Sequence, residues 1–169
     1  FANAGDEAML TAIIESLRQV EKNVELTVLS GNPEDTAAKH QVCSVYRFNP
    51  LGIIRAMKDS ELIISGGGSL LQDVTSKRSL LYYLSIIGLG KFFGKKVMLF
   101  AQGIGPIRAK WARKLTSLVC NEADLITVRD SESAAELIEM GVKPEKITVT
   151  ADSVLSLNPV TKECGQYLL

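Results

Sequence analysis

The apolar positions of the chain follow two alternating periods. Residues 8–20 carry apolar side chains at helical spacing, which predicts an amphipathic helix. Short apolar runs with β-branched members, such as 125–128, predict strands. The full pattern predicts helices at 8–20, 33–38, 80–93, 109–120 and 133–140, another helix opened by Asn49-Pro50, and strands at 24–29, 42–46, 61–64, 97–101, 125–128 and 147–150.

Short apolar strands that alternate with helices are typical of a parallel sheet covered on both faces. We therefore expect an α/β fold with a Rossmann-like, doubly wound parallel sheet. The helix at 80–93 is apolar on nearly all sides, which predicts burial. Residues 1–7 resemble a loop that enters a helix with no strand before it, so a first strand is expected to be missing. One domain is expected over 1–157, followed by a linker and an unfinished segment at 158–169.

Three adjacent glycines, Gly66, Gly67 and Gly68, follow the apolar run that ends at Ile64. Glycine permits positive φ angles and a close approach of another molecule to the backbone. Between a strand and a helix, the amides of such a loop are able to line a pocket for an anion or a sugar. A flexible turn is the alternative interpretation.

Three later strands also end in polar or glycine-containing loops. These loops begin at Gln102, at Arg129 and at Asp152. Because ligands of open parallel sheets bind beyond the carboxyl ends of the strands, the loops together predict one ligand site. The alternative is that every loop between a strand and a helix needs glycine and capping residues.

Known phosphate-binding motifs do not fit the loop that contains the three adjacent glycines. Leu71 stands where the dinucleotide motif has its last glycine, and the lysine of a nucleotide P-loop is absent. Arg129 is placed to bind a phosphate or carboxylate, or else to form a salt bridge with Asp130. Asp6 is either a general base for a sugar hydroxyl or a helix cap. His40 is expected in an exposed loop away from this site.

Composition excludes some classes of function. With 19 basic and 19 acidic residues the net charge is zero, which argues against nucleic-acid binding. The three cysteines (Cys43, Cys120 and Cys164) lack metal-site spacing and suggest thiols in a reducing, cytoplasmic compartment. Residues 80–93 are too few for a membrane span. A basic helix face beside Trp111 is either solvated or meets an anionic membrane surface; it comprises Arg108, Lys110, Arg113 and Lys114.

Four segments together resemble the polysaccharide pyruvyl transferases, in particular the bacterial type that acts on secondary cell-wall polymers. The matches occur in the same order across nearly the whole chain, and their combination is more specific than any one of them. They are Asn3-Ala4-Gly5-Asp6-Glu7-Ala8, Ile64-Ser65-Gly66-Gly67-Gly68-Ser69-Leu70-Leu71-Gln72-Asp73, Gln102-Gly103-Ile104-Gly105-Pro106 and Thr127-Val128-Arg129-Asp130-Ser131.

The resemblance implies a two-domain architecture similar to the GT-B glycosyltransferases, with this chain as the N-terminal half. It implies transfer of pyruvyl from phosphoenolpyruvate to two hydroxyls of one sugar, similar to N-acetylmannosamine on a lipid-linked precursor, giving a cyclic ketal. No metal or nucleotide cofactor is expected. The chain alone is expected to be inactive, because the donor is commonly held by the second domain. The protein is expected in the cytoplasm, at the inner face of the membrane.

The same resemblance indicates site residues. Asp6 would orient or deprotonate an acceptor hydroxyl, and the other positions would bind substrate: Asn3, Gly66, Gly67, Gly68, Ser69, Gln102, Gly103, Arg129 and Asp130. Two other functions are left open at this point. One is a nucleotide-sugar glycosyltransferase of the same architecture, and the other is a non-catalytic sugar-binding domain.

Overall fold

A computed structural model describes residues 4–74 and 76–157. Asn3, Cys164 and the predicted linker at 158–169 lie outside the described residues. The helices are α1 Ala4–Val20, α2 Pro33–His40, α3 Pro50–Asp59, α4 Lys77–Phe92, α5 Lys110–Glu122 and α6 Ser131–Glu139. The strands are β1 Thr27–Ser30, β2 Cys43–Tyr46, β3 Leu62–Gly66, β4 Lys96–Gln102, β5 Leu125–Val128 and β6 Ile147–Val149. Two 3₁₀ turns, Pro144–Lys146 and Ser153–Ser156, flank β6.

All strand pairs in the described residues are parallel, as the alternating pattern predicted. The strands form two sheets rather than one, however. β1 pairs with β2, and the second sheet has the order β3-β4-β5-β6. The alternation of elements specifies crossovers between parallel strands but does not specify which strands become neighbours. The α/β, Rossmann-like class is confirmed, and the strands are divided into the sheets β1-β2 and β3-β4-β5-β6.

The core lies between the four-stranded sheet and the helices that follow its strands. β4 and β5 are its most buried strands, since residues such as Leu99 and Ile126 have no exposed surface. Leu80, Leu84 and Ile87 of α4 pack in the same cluster. Central strands of a parallel sheet are expected to be covered on both faces, as β4 and β5 are here.

Helix α4 corrects one prediction. Its apolar sequence predicted burial all round, yet Phe92 is 82% exposed and Leu81 is also exposed. Only the face that carries Leu80, Leu84 and Ile87 is buried. Hydropathy alone does not reveal how many sides of a helix have neighbours.

Several helix starts also differ from prediction, and α4 begins at Lys77 rather than at residue 80. α1 begins at Ala4 rather than at residue 8, so Asp6 lies inside its first turn and is not its N-cap. α6 begins at Ser131, because the Asp130 carboxylate accepts a hydrogen bond of 2.7 Å from the Ser133 amide and caps the helix. Asp6 therefore lies inside α1, whereas periodicity placed it before the helix. Asp130 lies immediately before α6, whereas periodicity placed it three residues before the helix.

Asp124, just before β5, stabilises the sheet electrostatically. Its carboxylate accepts hydrogen bonds from the Lys91 ammonium at 2.7 Å, the Val97 amide at 2.9 Å and the Lys96 ammonium at 3.1 Å. These donors, Lys91 first, hold the pKa of Asp124 well below its usual range. The folded state therefore prefers the ionised carboxylate.

Replacing Asp124 with asparagine is expected to lower the free energy of unfolding at pH 7 by about 1–2 kcal/mol. Because the folded-state pKa is lowered, this stabilisation is complete above the unfolded-state pKa of about 4 and disappears as the pH falls below it. Urea unfolding from pH 7 to pH 2.5 measures it. Asp35→Asn, which breaks an exposed pair with Lys39, is the control and should change little. A pH-independent difference would contradict the assignment.

Candidate functional site

The carboxyl ends of β3, β4, β5 and β6 lie at one edge of the four-stranded sheet, which we call the rim. The rim comprises the loops at 67–73, 103–109, 129–130 and 150–152. The glycine loop is tied to the loop after β4, because the Gly103 amide donates to the Gly68 carbonyl at 2.9 Å and Leu71 forms a parallel bridge with Ile104. The three glycines are therefore part of an ordered junction between two loops rather than a free turn.

Positive φ angles explain the glycines at this junction. Gly67 has a φ of 76° and Gly68 a φ of 64°, a region that other residues rarely adopt. The Gly67 amide donates to the Phe100 carbonyl at 3.1 Å, so this amide is engaged by the protein. Fewer amides of the loop are therefore available to bind an anion than the sequence predicted.

The first turns of α1 pack directly on the glycine loop. A Cβ atom on Gly67 or Gly68 would lie 3.2 Å from the Met9 side chain, and one on Gly66 would lie 2.8 Å from Ile13. Asp6 precedes Met9 by three residues, one helical turn, and its side chain is exposed. The helical turn that carries Asp6 therefore precedes the turn that contacts the glycine loop.

Gln102 ends β4 and is fully buried. Neither its side-chain oxygen nor its side-chain nitrogen has a hydrogen-bond partner in the described structure. The preceding residue, Ala101, has a φ of 47° at a shift in the pairing of β4 with β5. Thr127 secures this irregularity, since its hydroxyl accepts from the Ala101 amide at 2.8 Å. A strained bulge that places an unpaired buried amide is costly, and such features concentrate at functional sites.

Arg129 connects three loops of the rim. Its guanidinium lies 3.3 Å from the Ser69 hydroxyl, the Asp130 carboxylate and the Asp152 carboxylate. Gly103 permits this approach, because a Cβ there would be 2.8 Å from the guanidinium. The structure shows the salt-bridge interpretation of Arg129, and binding of a phosphate or carboxylate stays a prediction. In the described structure two carboxylates offset its charge.

The acidic residues beside Arg129 have structural partners of their own. The Ser133 hydroxyl and amide, followed by Arg129, hold the pKa of Asp130 below its usual range. Asp152 accepts a hydrogen bond of 3.1 Å from the Val154 amide and caps the 3₁₀ turn Ser153–Ser156. Asp130, predicted to bind substrate, thus serves first to hold α6 against the rim.

Two residues that hold the rim in place were not among the predicted site residues. The Asp73 carboxylate accepts hydrogen bonds from the Ala109 amide at 2.9 Å and the Arg108 amide at 3.0 Å, which lower its pKa. The buried Ser133 hydroxyl accepts from the Ile104 amide at 2.9 Å. Both side chains fasten the loop after β4. The position of Asp73 in its motif was the only sequence signal, because its partners lie more than thirty residues away.

Other predicted features lie elsewhere. His40 is not in an exposed loop: it ends α2, and its side chain is 10% exposed, 3.3 Å from the Glu7 carboxylate. Arg113 of the basic face pairs with Glu136 at 2.6 Å and Glu139 at 3.1 Å. Cys43 is exposed, whereas burial raises the pKa of the Cys120 thiol to about 12.

The described part of the chain contains no cluster of three or more metal-ligating His, Cys, Asp or Glu side chains. An open groove of about 480 Å³ lies between α5 and the end of α6, and none of the predicted site residues lines it. No helix in residues 4–74 and 76–157 has the length and hydropathy of a membrane span. The rim is therefore the candidate site that both the motifs and the geometry support.

The fold and the rim define the class of the protein: a Rossmann-like α/β domain whose candidate ligand site lies at the carboxyl ends of parallel strands. The family model of the polysaccharide pyruvyl transferases matches residues 3–163. The chain therefore belongs to the polysaccharide pyruvyl transferase family, as its motifs predicted. No match was found among curated proteins.

Solved structures with a similar fold include HepE from Anabaena. Its complex with UDP and glucose aligns with a TM-score of 0.58 at 13% identity, and its complex with UDP aligns with a TM-score of 0.57 at 11% identity. Each alignment covers 86% of this chain and 40% of the HepE chain. The chain thus spans about two fifths of the length of these structures, and at such identities the likeness supports the fold alone.

Proposed function

We propose that this domain belongs to an enzyme that moves pyruvyl from phosphoenolpyruvate onto a sugar of a cell-wall polysaccharide precursor, N-acetylmannosamine, as a cyclic ketal. One observation carries the proposal. Motifs of a pyruvyl transferase that lie as much as 60 residues apart in the sequence meet at one rim, where Arg129 contacts Ser69 and Gly103 contacts Gly68. A shared ligand explains why these positions converge.

The proposed reaction requires proton transfer and stabilisation of negative charge. One sugar hydroxyl adds to the central carbon of the enol and loses its proton, while the methylene carbon gains a proton. The bond between this carbon and the phosphate oxygen then breaks, and phosphate leaves. The second hydroxyl bonds to the same carbon and closes the ring, and its proton passes to the departing phosphate or to solvent. Asp6 is proposed to accept the hydroxyl proton, because an exposed carboxylate beside the glycine loop is suited to general base catalysis.

The charges of the rim favour the acceptor as its ligand. Arg129 is already paired with Asp130 and Asp152, so the rim offers little net positive charge to phosphoenolpyruvate. We therefore propose that a second, C-terminal domain of a GT-B-like enzyme supplies most of the donor site, with 158–169 leading towards it. The chain alone is then expected to be inactive.

The division of the sheet supports the expected first strand. Helix α1 packs on β3 through Ile13 and leads into β1, so it bridges the two sheets. β1 and β3 each have an edge without a strand partner in the described residues. A parallel strand that precedes α1 and lies between them would join the sheets by the usual right-handed crossover.

A lipid-linked acceptor would place the enzyme in the cytoplasm at the inner face of the membrane. Trp111 and Lys114 are exposed on α5, and a peripheral contact through this face with an anionic membrane is part of the proposal. The pairing of Arg113 with two glutamates leaves the contact with fewer free cations.

The test is phosphate release from phosphoenolpyruvate by the full-length enzyme, with a glycoside of N-acetylmannosamine as acceptor. Asp6→Asn is expected to lower kcat by about 100-fold or more, since general base catalysis contributes roughly 10²–10⁴-fold. Glu15→Gln, an exposed change on the same helix, is the control. Unchanged turnover in a folded Asp6→Asn enzyme would reject the role of Asp6.

Two outcomes would reject the proposed function itself. Titration calorimetry that detects a nucleotide-sugar but not phosphoenolpyruvate would favour a glycosyltransferase. Saccharide binding without phosphate release for any acceptor would favour a non-catalytic sugar-binding domain.

A further inference from the structure

Four aromatic rings at the carboxyl end of β2 and on α4 form a connected cluster. We call Tyr46, Phe48, Tyr82 and Tyr83 the aromatic cluster. The ring centroids of Tyr46 and Phe48 lie 5.8 Å apart, those of Phe48 and Tyr82 5.7 Å, and those of Tyr82 and Tyr83 5.3 Å. All three pairs meet edge to face, the arrangement that aromatic rings favour. The cluster is therefore packed as one unit.

Part of this unit faces solvent. Phe48 is 58% exposed and Tyr46 is 47% exposed, whereas Tyr82 and Tyr83 are half-buried beneath them. The Arg47 guanidinium lies over the Phe48 ring, 5.0 Å from its centroid. The exposed rings are thus held in place by the half-buried rings and by the Arg47 guanidinium. The resulting surface combines flat apolar ring faces with phenol and guanidinium hydrogen-bond donors.

The cluster adjoins the proposed catalytic residue. Tyr46 is the last residue of β2, so it lies at a carboxyl end, and Tyr83 lies in the second turn of α4, which follows the glycine loop. Burial raises the pKa of Tyr83, and the Asp6 carboxylate adds to this rise while Arg47 opposes it. Asp6 and Arg47 therefore both lie within electrostatic range of the same phenol.

We infer that the aromatic cluster binds a pyranose ring of the acceptor saccharide, with the ring stacked on Phe48 and its edge against Tyr46, whose ring is nearly perpendicular to that of Phe48. This inference rests on the proposed function. Pyranose rings have apolar faces edged by hydroxyls, and ligand sites for such molecules combine aromatic walls with a few polar groups. Arg47 and the phenol of Tyr82 supply donors for those hydroxyls. A ring bound here extends towards Asp6, where the reacting hydroxyls are proposed to lie.

The test uses Phe48→Ala in the full-length enzyme. The KM for a disaccharide glycoside that contains N-acetylmannosamine is expected to rise about tenfold, because one stacking partner is lost. The KM for phosphoenolpyruvate should not change. Phe48→Trp should restore most of the affinity for the acceptor. Phe92→Ala, which removes an exposed ring at the other end of α4, is the control and should leave both KM values unchanged.

An unchanged acceptor KM in Phe48→Ala, or equal increases in both KM values, would overturn the inference. Saturation-transfer NMR with the same glycoside separates this result from a failure of the proposed function. If the wild type binds the glycoside through Phe48 but transfers no pyruvyl, the cluster is retained as a saccharide site and the proposed reaction is rejected. If transfer proceeds and binding is insensitive to Phe48, the cluster is rejected and the reaction is retained.

Discussion

Replacing Gln102 with leucine is expected to stabilise the domain and to inactivate the enzyme. The side chain is fully buried and both of its polar atoms lack partners, so an apolar residue of similar size removes a desolvation penalty of about 1–3 kcal/mol. An unpaired buried amide next to the strained residue Ala101 is typical of a functional site. If a bound acceptor or a closed second domain uses the amide, its loss should lower kcat/KM by about 10²–10³-fold.

The matched control is Thr116→Val. Thr116 is also fully buried with an unpartnered hydroxyl, but it lies on α5 away from the rim. Urea unfolding should give a higher free energy of unfolding for both variants, and phosphate release should be lost only in Gln102→Leu. A stabilised Gln102→Leu enzyme with wild-type activity would show that the unpaired amide has no role in function.

Replacing Arg129 with glutamine is expected to lower kcat/KM by about 100-fold or more, comparable to the loss of a transition-state electrostatic contact. The change removes the cation between Asp130 and Asp152, leaves two carboxylates without their shared partner, and releases Ser69 of the glycine loop. Arg129→Lys keeps the charge but not the planar fork that spans three loops, so it should recover only part of the activity. Steady-state kinetics with both substrates measures these effects.

Arg55→Gln, an exposed change on α3, controls for the loss of a positive charge. A purely structural role for Arg129 predicts that the melting temperature falls and that activity, measured well below the melting temperature, is retained. The proposed role predicts lost activity in a protein that remains folded. Equal activity of Arg129→Gln and wild type would remove Arg129 from the site.

The sequence predicted elements best where strong local signals bounded them. Strand β5 was predicted at its observed bounds, 125–128, because an apolar run lies between Asp124 and Arg129. The start of α1 was missed, since Ala4 to Glu7 carry little periodic signal. The division of the sheet was not predictable either, because strand neighbours depend on contacts that span the whole chain.

The motifs located the site better than they described it. The glycines, Gln102 and Arg129 lie together at the carboxyl ends of their strands, as the carboxyl-end rule predicted, whereas the role of Asp6 stays a prediction. Their partners were hidden, because Asp152 meets Arg129 across 23 positions and Arg108 meets Asp73 across 35. The unpaired amide of Gln102 and the aromatic cluster result from packing between distant segments, and no local sequence pattern predicts such packing.

A crystal structure of the full-length enzyme with the N-acetylmannosamine glycoside bound tests the central claim most directly. The account predicts that the saccharide lies at the rim, with a ring hydroxyl within hydrogen-bond distance of the Asp6 carboxylate and an apolar face against Phe48. A saccharide bound in the groove between α5 and α6, or held entirely outside this domain, would contradict it.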